Sequence, residues 1–476
     1  VTFQYEKKRL AGATYQVTAG ADIVAADGTL IYQKGAVVAD KLTTNKDGAV
    51  TLKNLHLGTY IVTETGAPKN YINKGESKKI TLTETDPTQE IVLGETTFSN
   101  DRQKVSVVIN KVDDTTKNPL PGGIYGLYAG EAIKNVNGDV IVAKDTLIQR
   151  ATTGADGKAA FTADLPLNVS YYVKELQAPK KYVRNETDVF TFTANYTKET
   201  ESRIEFTYTF ENERVNARID LTKVDAETGA KTQGDASLIG AVYGLYARED
   251  IVHPDGKTGV IYKKDFQIAT LTTDKNGKAF IENLYLGKYY IKELVPSEGY
   301  LLDTTEHDLD CADEGDLVKT VKKSATSKEQ VIKQPFQVIK AANNGKTDAD
   351  LLSGVGFTAY LISSLKVNAD GSYDFAKAEP VVIAEDGKTE MFTDGRGHAQ
   401  SIALPYGKYI VRETTTPHNF TPVDDFIVTV AENHPTTPQV WRVLLDDEFE
   451  AKLKIVKKDD ETKKSILLAN TEFKVY

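Results

Sequence analysis

Gly287-Lys288-Tyr289-Tyr290-Ile291-Lys292-Glu293 decides how this chain is read, because close copies of it recur along the sequence. Gly58-Thr59-Tyr60-Ile61-Val62-Thr63-Glu64 comes first, Ser170-Tyr171-Tyr172-Val173-Lys174-Glu175 second, and Gly407-Lys408-Tyr409-Ile410-Val411-Arg412-Glu413 last. In every copy a tyrosine precedes a glutamate by four residues. A proline follows (Pro68, Pro179, Pro296, Pro417) and then an aromatic residue (Tyr71, Tyr182, Tyr300, Phe420). Successive glutamates lie 111, 118 and 120 residues apart, so the repeating unit is a whole domain and not a solenoid turn.

Other words recur around this one. Ahead of it stand turns that use Asp or Asn with Gly, at Asn45–Gly48, Ala155–Gly157, Asp274–Gly277 and Asp394–Gly397. They are flanked by short alternating segments, as in a hairpin whose turn needs positive φ. None has the full spacing of a calcium-binding EF-hand loop, so they read as turns with no metal. Earlier still comes a Leu-x-Gly word at Leu10, Leu120, Leu238 and Leu352, with Leu468-Ala469-Asn470-Thr471 as a fifth version. Each leads into an aromatic, alternating strand such as Val242–Tyr246. No capped amphipathic segment of helix length recurs, which predicts all-β units, each an antiparallel β-sandwich.

Each unit opens on a lysine set in an apolar strand: Lys111, Lys223, Lys340 and Lys457, spaced by 112, 117 and 117 residues. Three units close on an Asn or Asp. Asn100 and Asn212 follow a phenylalanine and precede the next lysine by 11 residues, and the same count from Lys457 gives Asp446, with Asp447 as the alternative register. From Lys340 the count gives Glu329, where the pattern fails.

Lysine, glutamate and Asn or Asp in one dry core would be reactive. Burial lowers the pKa of a lysine and raises that of a carboxylic acid by up to ~3–5 units. A neutral amine is a nucleophile, and effective molarities that reach ~10⁵ M let it attack a side-chain amide held against it. Ammonia leaves from Asn and water from Asp, and the product is an intramolecular isopeptide bond.

These words, in this order and at this period, resemble the CnaB-type (SpaA-like, prealbumin-like) domains of Gram-positive cell-wall-anchored adhesins and pilins. The resemblance covers essentially the whole chain and implies a tandem array of Greek-key antiparallel β-sandwiches of CnaB or immunoglobulin-like type. It implies Lys111–Asn212 with Glu175 in a second domain and Lys340–Asp446 with Glu413 in a fourth. In the first domain Glu64 and Asn100 match, but the lysine falls at about position −1. The third has Lys223 and Glu293 without an Asn or Asp partner. Lys457 opens a fifth unit whose Glu and Asn would lie past Tyr476. The implied domains are residues 1–101, 102–213, 214–330, 331–447 and the start of a fifth at 448–476, so the chain reads as one section of a longer protein.

The composition agrees with a folded exported chain and excludes other classes. Hydrophobic residues make up 40% and charged residues 26% of the 476, enough to bury several cores. Lys+Arg 58 against Asp+Glu 68 gives a net charge of −10 with no basic stripe, which argues against nucleic acid. No apolar run approaches the ~18 residues of a membrane span. The single cysteine, Cys311, excludes an intrachain disulfide and lies in an acidic run that disfavours a thiolate. The six histidines form no HExxH motif, no nucleophile elbow or phosphate loop is present, and no cofactor is expected, so the only enzyme-like chemistry is the chain's own crosslinking.

The expected function is a structural stalk on the extracellular face of a Gram-positive cell wall. Its anchor and its host or cell-surface ligand would lie outside this sequence. The alternatives are a host-ligand-binding module, using insertions around Asp303–Lys323 and Ser363–Glu379, and a polymerising pilin backbone.

Overall fold

The computed structural model describes residues 1–346 and 350–464. The Leu468 word therefore lies outside the described residues. Apart from one 3-10 turn at Ile362–Ser364, the described regular structure is entirely β, as expected.

The recurring words become recurring contacts. The Leu-x-Gly word is a corner. Gly122, Gly240 and Gly354 take φ near +80°, and the threonine hydroxyls of Thr153, Thr273 and Thr393 donate to the carbonyls of Leu120, Leu238 and Leu352 at 2.6–2.8 Å. In the Gly-x-Tyr word the tyrosine is buried and its hydroxyl reaches back four or five residues. Tyr60, Tyr171, Tyr289 and Tyr409 donate to the carbonyls of His56, Pro166, Tyr285 and Pro405. An aromatic body thus fills the core while its polar end is satisfied.

The second, third and fourth repeats each build two facing sheets. In the second, a four-stranded sheet contains Ile124–Ala129 and Ser170–Gln177 at its centre, and a three-stranded sheet has Lys104–Asp113 between Lys158–Phe161 and Arg203–Asn212. The third and fourth repeats have the same order. In each, the first strand runs parallel to the last: Lys104–Asp113 beside Arg203–Asn212, Asn216–Asp225 beside Thr320–Glu329, and Gln337–Asn343 beside Arg442–Asp447. Strand alternation turns Val107, Ile109, Lys111 and Asp113 to the same inner face.

The first repeat differs. Its four-stranded sheet is present, but residues 1–13 and 83–103 form no strand that would complete a second sheet. Its core is correspondingly small, centred on Val17, Ala19, Ile23 and Tyr60. Phe3 instead packs against the core of the second repeat, and Tyr5 lies under the Arg102 guanidinium with its hydroxyl on the Asp164 carbonyl at 2.7 Å.

Candidate crosslinking sites

Lysine is almost never fully buried without a partner. Among the described residues the fully buried lysines are Lys111, Lys223 and Lys340, three of those singled out by the repeat. The hairpin-turn glycine fixes each one's backbone. Lys111, Lys223 and Lys340 donate their N–H to the carbonyls of Gly157, Gly277 and Gly397 at 2.7 Å. A Cβ at Gly157 or Gly397 would fall 2.5 Å from the lysine's own carbonyl oxygen, so the close approach requires glycine.

In the second repeat the Lys111 ammonium contacts Asn212 Oδ1 directly and lies 3.4 Å from Glu175 Oε1. Asn212 Nδ2 donates to both Glu175 oxygens at 3.0 and 3.1 Å. Tyr125 donates its hydroxyl to Glu175 Oε1 at 3.0 Å, and the Asn185 N–H binds Oε2 at 2.9 Å. Burial brings the Lys111 pKa down to about 8, against the upward pull of Glu175. The amine, the carbonyl it would attack and the proton carrier thus share one dry pocket.

The fourth repeat offers the acid variant. Lys340 Nζ lies 2.8 Å from Glu413 Oε2 and directly against Asp446 Oδ1. Burial pushes the Asp446 carboxyl up to about 6, with Glu413 reinforcing the shift and Lys340 opposing it. Glu413 Oε1 and Asp446 Oδ2 are both buried without a hydrogen-bond partner. One proton on Asp446 would bridge them, and it would also make the carboxyl open to attack. Asp447 faces outward and accepts from Asn343 Nδ2 at 2.6 Å, so the alternative register falls away from the lysine.

In the third repeat Lys223 lies 3.1 Å from Glu293 Oε1, and Glu329 Oε2 stands 3.8 Å from the amine. The Asn-or-Asp pattern fails here in residue type, but the strand register is kept. Lys111, Lys223 and Lys340 register with Phe210, Ser327 and Leu444, and Asn212, Glu329 and Asp446 each lie two residues further along. Glu329 therefore stands at the position equivalent to Asn212 and Asp446, fully buried.

In the first repeat Asn100 Nδ2 donates to Glu64 Oε1 at 2.7 Å, and burial raises the Glu64 carboxyl. Lys7 and Lys8 are exposed, and no buried lysine joins this pair among the described residues. Lys457 is exposed in a segment without strands.

Three features of the sites went unread in the sequence. An aromatic residue stands opposite each glutamate in the sheet: Tyr15, Tyr125, Tyr243 and Phe357. A backbone N–H ten residues after the glutamate, from Asn185, Asp303 or Val423, holds its Oε2. Finally, the Asp of the Lys-Val-Asp word is a buried turn cap that accepts the hydroxyl of the tyrosine after the proline: Tyr182 on Asp113 at 2.7 Å and Tyr300 on Asp225 at 3.0 Å. In the fourth repeat both partners change together, to Ala342 and Phe420.

The model of the SpaA prealbumin-like fold domain matches the sequence four times, over residues 3–97, 105–208, 217–326 and 335–442. The chain belongs to this family. Among solved structures it is similar to the TIE protein of Bacillus anthracis, at 18% identity over 91% of this chain and 68% of that one, with a TM-score of 0.47. It is also similar to BcpA, the major pilin subunit of Bacillus cereus (16% identity, 68% and 96% covered, TM-score 0.24). A third likeness is to the shaft pilin SpaA of Lactobacillus rhamnosus GG (16% identity, 50% and 99% covered, TM-score 0.19). No curated protein matches.

Cys311 is fully buried in the core of the third SpaA domain. Burial, more than its acidic neighbours, pushes the thiol up to about 11.

Proposed function

We propose that this chain is a load-bearing stalk segment of an extracellular, cell-wall-anchored adhesin or pilus-like protein of a Gram-positive bacterium. Its second and fourth domains would be locked by Lys111–Asn212 and Lys340–Asp446 isopeptide bonds, assisted by Glu175 and Glu413. The observation that carries the proposal is that a buried lysine and its acceptor on the parallel first and last strands meet a buried glutamate side chain from the facing sheet.

The chemistry follows from the contacts. The lysine–glutamate ion pair becomes a neutral pair when one proton moves from Nζ to the carboxylate. The neutral amine then attacks the Asn212 or Asp446 carbonyl carbon. The glutamate returns a proton to the departing nitrogen or oxygen, and ammonia or water leaves.

Force applied along the array enters a domain at its first strand and leaves by its last. A bond between those strands carries the load past the fold, which then cannot extend. The junctions suit the same task. Ala67 N–H binds Glu199 Oε2 at 2.6 Å between the first and second domains. Between the third and fourth, Asp235 accepts from Ser363 and from the Lys408 N–H, and Lys333 pairs with Glu227 at 2.6 Å.

The two insertions considered as ligand loops reach adjoining domains instead. Asp313 and Asp316 accept the N–H groups of Lys181 and Ala178 in the second domain, and Ser363 contacts Asp235 in the third. That favours the stalk over a ligand-binding module. Tandem mass spectrometry of a proteolytic digest tests the chemistry. Branched peptides joining Lys111 to Asn212 and Lys340 to Asp446 are expected, and linear peptides from both strands would refute it.

A further inference from the structure

We propose that the third domain carries a crosslink of its own, an isopeptide bond between Lys223 and the side-chain carboxyl of Glu329. The inference rests on the reading of Lys111 and Lys340 as nucleophiles and extends it to an acceptor type that the repeat words did not contain.

Register places Glu329 where Asn212 and Asp446 stand. Glutamate is one methylene longer, and the third domain changes in a matching way. The residue opposite the lysine is Phe210 in the second domain and Leu444 in the fourth, but Ser327 in the third. Ser327 lies on the same inner face as Glu329 and is buried. The smaller side chain leaves volume for the longer acceptor, and its hydroxyl donates to Glu329 Oε1.

The two carboxyl oxygens of Glu329 are treated differently. Oε1 accepts from Ser327 and from the Tyr243 hydroxyl at 3.0 Å. Oε2 is buried, has no hydrogen-bond partner and lies 3.8 Å from Lys223 Nζ. Two donors on one oxygen mark it as the carbonyl oxygen on which negative charge develops during attack, as in an oxyanion hole. The other is then the hydroxyl that departs. Burial raises the Glu329 carboxyl, which favours the protonated acid needed for that role. In the second domain the equivalent tyrosine, Tyr125, binds the assisting Glu175 instead. Here Glu293 is left to the amine at 3.1 Å, with its other oxygen held by the Asp303 N–H at 3.0 Å.

The step balances with groups already present. Glu293 takes one proton from the Lys223 ammonium. The neutral amine attacks Glu329 Cδ, forming the Cδ–Nζ bond and placing the charge on Oε1. Glu293 then gives its proton to Oε2, the Cδ–Oε2 bond breaks, and one water leaves. The second nitrogen proton passes to Glu293, which ends protonated beside a neutral amide.

The test uses the whole chain. Digestion and tandem mass spectrometry should yield a branched peptide joining the Asn216–Asp225 strand to the Thr320–Glu329 strand, lighter than its parts by one water. The Glu329→Gln chain should lose ammonia in place of water, so that its mature mass equals that of the linked wild type. Glu293→Ala should abolish the branched peptide and leave the other two unchanged. Recovery of Lys223 and Glu329 in separate linear peptides from wild-type protein, alongside branched peptides from the second and fourth domains, would overturn this inference alone. Linear peptides from all three domains would overturn the crosslinking reading with it. The wild-type digest is decisive even where a variant does not fold.

Discussion

Lys111→Met should convert the second domain from an inextensible element into an extensible one. Methionine is close to lysine in length and apolar, so it suits a pocket in which the lysine is fully buried, and it leaves the Asn212–Glu175 hydrogen bonds in place. In the linked domain, load entering at Lys104 can peel only the few residues before Lys111, roughly 25 Å of chain. Without the link, the 101 residues separating Lys111 from Asn212 become available. At about 3.5 Å per residue they release roughly 350 Å, because the two ends start on adjacent strands. Single-molecule pulling of the whole chain should therefore show one additional unfolding step of that size in the variant. Steps from the first domain, where no buried lysine joins Glu64 and Asn100, appear in both proteins. Identical step counts in wild type and variant would refute the argument that the bond lies on the force path.

Other perturbations follow from the same contacts. Lys340→Met opens a loop of 106 residues; on the disulfide chain-entropy scale this costs ~4.7 kcal/mol, and calorimetry should find the transition of the fourth domain lower by about 20 °C. Cys311 should resist alkylation in the native chain and react once the third domain is unfolded, as judged by mass after thiol labelling. Asp316→Ala removes a charge-assisted bond to the Ala178 N–H at 2.9 Å, worth ~1–2 kcal/mol, and small-angle scattering should report a broader angle between the second and third domains. At the same junction burial acts upward on Asp255, but bonds from Asn118, Thr258 and two backbone N–H groups outweigh it and hold the carboxyl well below its usual range. A depressed carboxyl stabilises fully above its unfolded value of ~3.9 and loses that effect as pH falls through the lowered value. Scattering at pH 4 should therefore match pH 7, with loosening only under stronger acid.

The fold was legible because its words repeat. A glutamate four residues after a tyrosine means little once, but four copies at domain spacing identify a strand with one buried face. Lys111 and Lys340 were legible for the same reason. The spacing from Lys340 reaches Glu329 but the residue there is neither Asn nor Asp, whereas the parallel register fixes a position without regard to residue type. Asp113 and Tyr182 were visible as parts of words, yet the bond joining them spans 69 residues and no local pattern encodes it. The junction contacts of Asp235, Asp255 and Asp316 occur once each, so repetition could not expose them. Residues 1–13 illustrate the converse. The repeat placed them at the edge of the first domain, but without a completed second sheet there, Phe3 finds its apolar partners on the second domain.

The most direct test of the central claim is the intact mass of the whole chain, measured under denaturing conditions beside the Glu175→Ala, Glu413→Ala double variant. The account predicts a wild-type mass below the encoded value by at least one ammonia, from Asn212, and one water, from Asp446. The double variant should lack both of those losses. A wild-type chain at its full encoded mass would contradict it.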